Sequence, residues 1–105
     1  MAGDVAMTER IFRFGPLELH PERGHLFNAG IPVALGSRAL AILTLLAERA
    51  GAIVSIQDIT SHVWPNLFVQ DNNLRVHLTA IRRVLRGATG SEVEIINMPG
   101  RGYRL

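Results

Sequence analysis

Between Leu74 and Leu85 the chain reads as a helix with two unlike faces, and that stretch constrains every other assignment. Leu74, Leu78, Ile81 and Leu85 recur at i, i+4, i+7 and i+11, which at helical spacing puts them within about 60° of arc. Opposite them stand Arg75, Thr79, Arg82, Arg83 and Arg86, with no acidic residue among them. The apolar stripe needs a core to dock on, so the segment belongs to a packed domain. The arginines repel one another at helical spacings of four or less, and an anionic partner relieves that repulsion. Arginine suits such a partner, because its planar fork bonds guanine O6 and N7 together or grips phosphates. The plain alternative is a solvated helix face, although such faces usually mix signs.

At 105 residues the chain is long enough for one modest core and too short for two. Apolar residues make up 48% and charged ones 19%, the balance of a globular rather than a disordered chain. The absence of cysteine excludes a disulfide scaffold, a thiolate zinc site and a cysteine nucleophile, and it leaves a cytoplasmic location unopposed. No apolar run approaches the roughly 20 residues of a membrane helix, so no membrane contact is expected. Met1–Arg10 has no signal-like apolar stretch and carries Asp4 and Glu9. Residues 1–10 are therefore expected to be a flexible leader or a cloning remnant, and residues 11–105 the domain. Net charge is only +2, but it is unevenly placed. Met1 to Asp71 carries five arginines against seven acids, whereas Asn72 to Leu105 carries six arginines against Glu92 and Glu94. A basic C-terminal third fits either a polyanion-binding face or a solvated basic surface.

Phe12-Arg13-Phe14 and Leu17-Glu18-Leu19 alternate in period two and are separated by Gly15-Pro16. With His25-Leu26-Phe27 and Ile31–Leu35 they predict a compact antiparallel sheet of three or four short strands. Ser37 is placed as N-cap of a helix from about Arg38 to Ala50, closed by Gly51. That helix is apolar over most of its surface and is expected to be the central buried one. Ile53-Val54 is a candidate short strand. Ser55 and Asp58 resemble a capping box opening a second helix that buries Ile56, Ile59 and Val63 and stops at Pro65. The third helix is expected to be capped by Asp71, Asn72 or Asn73 and halted by Gly87-Ala88-Thr89-Gly90. A strand over Val93–Ile96, a turn over Met98–Gly102 and a returning strand over Tyr103–Leu105 complete the pattern. Arg101 at the tip of that hairpin is placed to reach a minor groove or a phosphate backbone.

Taken in order, the landmarks are recognisable. They are Leu35-Gly36-Ser37 before a leucine-rich helix, Val54-Ser55, and Val63-Trp64-Pro65. Then come Asn73-Leu74-Arg75-Val76-His77-Leu78 running into Ile81-Arg82-Arg83-Val84-Leu85, and Gly100-Arg101-Gly102-Tyr103-Arg104. Over nearly all of Phe12–Leu105 the chain resembles the OmpR/PhoB-type winged-helix domain of bacterial transcriptional regulators, which act in two-component-like phosphorelays. The resemblance implies an α+β winged helix-turn-helix fold: an N-terminal antiparallel sheet, three helices and a C-terminal β-hairpin wing. It implies sequence-specific binding of double-stranded DNA, with Asn72–Arg86 as the recognition helix in the major groove. The residues it assigns to DNA are Asn72, Asn73, Arg75, Thr79, Arg82, Arg83 and Arg86, with Arg101 and Arg104 on the wing. Arg82 and Arg83 are the first choices for the groove. The resemblance further implies that the loop Asn66, Leu67, Phe68 and Val69 touches RNA polymerase, although Leu67 and Phe68 fit local packing equally well. A tandem homodimer on repeated half-sites is also implied.

Two rival classes are weighed against this reading. An enzyme is disfavoured: His20, His25, His62 and His77 show neither metal-ligand spacing nor a cluster with acids. Ser37 and Ser55 read as caps, and His77 on the flank of the third helix reads as packed or hydrogen-bonded. No catalytic residue, metal or cofactor is expected. A winged helix serving only as a protein-docking module within a larger signalling protein is the stronger rival, since the arginines would also suit an acidic protein surface. A receiver domain is absent from the chain, which reads as the N-terminal domain of a longer regulator more readily than as an excised C-terminal effector.

Overall fold

Alternation in the first third of the domain folds as an antiparallel meander in the computed structural model, which describes residues 10–66 and 71–105. The leader up to residue 9 and the loop residues Leu67, Phe68 and Val69 lie outside the described residues. Strands β1 (Phe12–Phe14), β2 (Leu17–His20), β3 (His25–Asn28) and β4 (Ile31–Pro32) form one sheet in sequential order. The register sets Phe12 opposite Leu19, Leu19 opposite Leu26, and Phe27 opposite Pro32. Period-two alternation then sends Leu17, Leu19 and Leu26 to the buried side. The β3–β4 turn has Ala29 at φ 51° and Gly30 at φ 84°, the pair of positive angles that a tight hairpin turn needs. β4 is shorter than the expected Ile31–Leu35, because Pro32 brings no N–H to the ladder. Only the Val33 N–H continues the pairing, to the Leu26 carbonyl at 2.8 Å.

Helix α1 (Ser37–Glu48) is the buried centre, with Ala39, Leu40, Ile42, Leu43 and Leu46 all enclosed. Its cap is Gly36 and not Ser37: the Leu40 N–H donates to the Gly36 carbonyl at 2.9 Å, so the first turn closes one residue early without a side-chain cap. The helix also ends sooner than Ala50, through Arg49, before Gly51 takes φ 87°. In α2 (Ile56–Val63) the Ser55 hydroxyl accepts the Asp58 N–H at 3.0 Å, one half of the expected capping box. The Asp58 carboxylate turns instead to Arg49, at 3.3 Å. Ile59 is buried and Val63 half-buried, whereas Ile56 stays 40% exposed and is not the core residue its spacing predicted.

Helix α3 (Asp71–Thr89) continues past Gly87 to the last residue of the expected stop, Gly87-Ala88-Thr89-Gly90. The terminating glycine is Gly90, at φ 66°, whose N–H donates to the Arg86 carbonyl. The extra turn has its own contacts. Thr89 faces the β1–β2 turn, where a Cβ on Gly15 would lie 3.3 Å from its methyl group. The Thr89 hydroxyl donates to the Leu85 carbonyl and accepts the Val93 N–H. Strand β5 (Ile96–Met98) begins three residues later than predicted, since β6 (Gly102–Arg104) pairs it only from Ile96 opposite Arg104 onward. Ile95 meanwhile joins the core.

Two attachments fix the ends of the domain. Val54 and Tyr103 exchange backbone hydrogen bonds of 2.8 and 2.9 Å, so the expected strand at Ile53-Val54 is a single bridge that fastens the hairpin to the core. Gly102 allows it: at φ 141°, a Cβ there would sit 2.0 Å from the Val54 carbonyl oxygen. At the other end Arg10, which the sequence reading counted with the leader, is bound to the domain. Its guanidinium donates to the Glu22 carboxylate at 2.8 and 3.1 Å and to Glu48, and its N–H donates to Glu22 at 2.7 Å. These bonds hold the Glu22 carboxyl below its ordinary value and raise the Arg10 guanidinium above its own.

Gly102→Ala is expected to lower stability in urea denaturation by more than about 2 kcal/mol, from backbone strain and the collision with Val54 together. An unchanged midpoint would mean that the hairpin is not held on Val54. A side-chain NMR titration is expected to place the Glu22 midpoint below that of a free glutamate, and Arg10→Ala to return it to the ordinary range. Because the folded value is the lowered one, the contribution of this pair is present above the ordinary glutamate range and disappears as pH falls through the lowered midpoint.

Candidate nucleic-acid interface

The buried side of α3 is the stripe the sequence specifies: Leu74, Leu78, Ile81 and Leu85 are each at most 1% exposed, and the helix lies against α1. Docking that stripe leaves Asn73, Arg75, Thr79, Arg82, Arg83 and Arg86 exposed. The Thr79 hydroxyl donates to the Arg75 carbonyl one turn back, at 2.9 Å. Arg75, Arg83 and Arg86 make no ion pair or side-chain hydrogen bond among the described residues. Thr79, Arg82, Arg83 and Arg86 line a shallow depression of about 370 Å³. The face is therefore a connected, uncompensated cationic surface on one rigid helix.

Val76, an apolar residue off the buried stripe, is 62% exposed in the middle of this face. Its position was legible, at roughly 200° around the helix from Leu74 at 100° per residue. Asn72 falls inside α3 and its side chain lies outside what is described. Asn66 is exposed at φ 63°, and its loop companions Leu67, Phe68 and Val69 lie outside the described residues.

Arg82 differs from its neighbours. Its Nη2 donates to the Ile95 carbonyl at 3.2 Å, and its guanidinium lies 5.9 Å from the centre of the Tyr103 ring. It joins the helix to the hairpin. Around the helix it stands roughly 80° from Leu74, beside the buried stripe, whereas Arg83 stands at about 180°.

On the hairpin, Arg101 is exposed at the turn and its N–H donates to the Met98 carbonyl at 2.9 Å. Arg104 is half-buried on β6, opposite Ile96. His77 is half-buried, its ring 5.6 Å from that of Trp64, and the Arg38 guanidinium lies 5.2 Å from the Trp64 ring centre. Trp64, itself buried, thus links the end of α2 to α1 and α3. Ser55 is a cap, as expected. Among the described residues no three His, Cys, Asp or Glu side chains are grouped to hold a metal ion.

Residues 30–105 match the family described as transcriptional regulatory protein, C terminal. The transcriptional regulatory protein CutR of Streptomyces coelicolor is 32% identical over 90 residues, covering 85% of this chain and 40% of CutR. The chain spans less than half the length of the curated relatives it matches. Among solved structures, the DNA-binding domain of CpxR from E. coli superposes with a TM-score of 0.79 at 25% identity, covering 91% of this chain and 95% of that domain. The Klebsiella pneumoniae RstA DNA-binding domain, solved in complex with the RstA box, shares the fold with a TM-score of 0.72 at 21% identity, over 91% of this chain and 96% of its own.

Proposed function

The chain belongs to the family of transcriptional regulatory C-terminal domains, the OmpR/PhoB-type winged helices, and from that premise we propose that it reads double-stranded DNA as the effector domain of a bacterial transcriptional regulator. Helix α3 enters the major groove and the β5–β6 hairpin lies along the minor groove or the backbone. One observation carries this: Arg75, Arg83 and Arg86 stand exposed on one face with no carboxylate partner among the described residues, while the other face is locked in the core. A solvated helix that served only to cover the core would gain from acids among those arginines. A polyanion supplies the missing charge from outside.

The roles divide by angle. Arg83, diametrically opposite the buried stripe, points deepest toward base edges, with Thr79 about 40° to one side and Asn73 on the opposite flank. Arg75 and Arg86, on the flank, reach phosphates. Arg101 at the hairpin turn takes the minor groove or the adjoining backbone, and Arg104, half-buried, supports it. Asn72 is assigned to a phosphate at the helix start. The proposal extends to a second copy in tandem on repeated half-sites and to RNA polymerase at the loop of Asn66, Leu67, Phe68 and Val69, both on the strength of family kinship. It places the domain, residues 11–105 with Arg10 attached, in the cytoplasm, and assigns it no catalytic role, metal or cofactor. No helix among the described residues is long and apolar enough to cross a membrane.

Titrating a labelled duplex at several salt concentrations checks the division of roles. Arg86→Ala is expected to reduce the slope of log affinity against log salt by about 0.9, the share of one phosphate contact. Arg83→Ala is expected to cost about 1–3 kcal/mol and to relax preference at a single base pair. If both variants bind as the parent does, or if no duplex binds at low salt, the DNA reading fails and an acidic protein surface becomes the partner to seek.

A further inference from the structure

We infer that Arg82 is a positioning residue and not a groove contact: it pins the wing hairpin to the recognition helix, so that the two elements meet the duplex in one fixed relation. The inference deepens the DNA-binding reading and rests on it for its consequence, although the pin itself is a property of the free domain.

Three observations converge on the hairpin base. Arg82 reaches both strands: its Nη2 donates to the carbonyl of Ile95, the residue before β5, and its guanidinium lies over the ring of Tyr103 in β6. A guanidinium is well suited to this double task, since its edge donates while its face meets an aromatic ring. Tyr103 is itself buried and bonded in both directions to Val54, which is fully enclosed. The hairpin base is thus bound to the core through Val54 and to α3 through Arg82. The third observation is Arg83, the next residue, which has no such partner among the described residues although chemically identical.

Geometry gives the pin its leverage. The pairing of Met98 with Gly102 puts Arg101 level with Pro99, about 13 Å from Ile95 at strand rise, so a tilt of about 10° at the base displaces the tip by roughly 2 Å, enough to lose a hydrogen bond. An arginine at the base therefore controls where Arg101 arrives without touching DNA. Local spacing carries no sign of this, because the partners are a backbone carbonyl and a ring thirteen and twenty-one positions away.

The test compares Arg82→Met, Arg82→Lys and Arg83→Met in this chain. In amide hydrogen exchange without DNA, Arg82→Met is expected to speed exchange in β5 and β6 by tenfold or more, with the amides of α1 unchanged. Lysine, which restores a donor and a cation but not the planar fork, should recover part of the protection, and Arg83→Met should leave it at the parent level. Hairpin exchange in Arg82→Met equal to the parent's overturns the pin. The second arm uses a duplex selected from a random pool and dimethyl sulfate, which methylates guanine N7 in the major groove and adenine N3 in the minor groove. Arg82→Met is expected to keep the guanine protections and lose the adenine protections under the hairpin. A slope lowered by about one unit with both sets of protections kept would make Arg82 a phosphate contact and overturn the inference. If the parent chain protects no duplex, the DNA reading has failed, and the exchange arm still decides the pin.

Discussion

Burial of one stripe on α3 is the interaction on which the rest depends. Leu74, Leu78, Ile81 and Leu85 enter a core shared with α1 and with the sheet residues Leu17, Leu19 and Leu26. Each fully buried leucine or isoleucine contributes on the order of 1.5–3 kcal/mol. The like-charge repulsion among the arginines on the other face is a matter of a few tenths per pair. Burial wins by a wide margin, so the helix has one rotational setting, and that setting decides which side chains meet a partner. The cationic face is a consequence of how the apolar face docks.

The sheet, the hairpin and the loop ends support that setting from different sides. The β1–β2 turn meets Thr89 at the far end of α3, two residues beyond Gly87. Trp64, buried between Arg38 and His77, holds the near part. The Val54–Tyr103 bridge fastens the hairpin to the core at a point where only glycine is accommodated at residue 102. Each contact joins segments distant in sequence, so the interface is assembled by the whole domain and presented by one helix. The match of residues 30–105 to a family of regulators and the superposition on the CpxR domain agree with that arrangement.

Periodicity made the architecture legible. The strands up to β3, the three helices, the buried stripe and the exposed arginines all follow from spacings of 2.0 and 3.6 residues, which local sequence carries by itself. What was not legible depended on contacts made at a distance. The stop over Gly87–Gly90 is legible, but not which of its two glycines ends the helix, which runs on through Ala88 and Thr89 to Gly90. Ser37 looks like a cap, yet the Gly36 carbonyl closes the turn. Val93 to Ile95 alternate like a strand, but β6 pairs β5 only from Ile96. Arg82 looked like the twin of Arg83. Its angle beside the buried stripe was readable, but the carbonyl and ring that engage it were not.

The central claim is that the exposed face of α3 recognises a particular DNA sequence, and repeated selection of bound duplexes from a random pool measures that most directly. The account predicts enrichment of a defined motif by the parent chain, with one position of that motif relaxed when Arg83 is replaced. A pool that stays random through successive rounds, at a salt concentration where the chain binds duplex, would contradict sequence recognition and leave only charge.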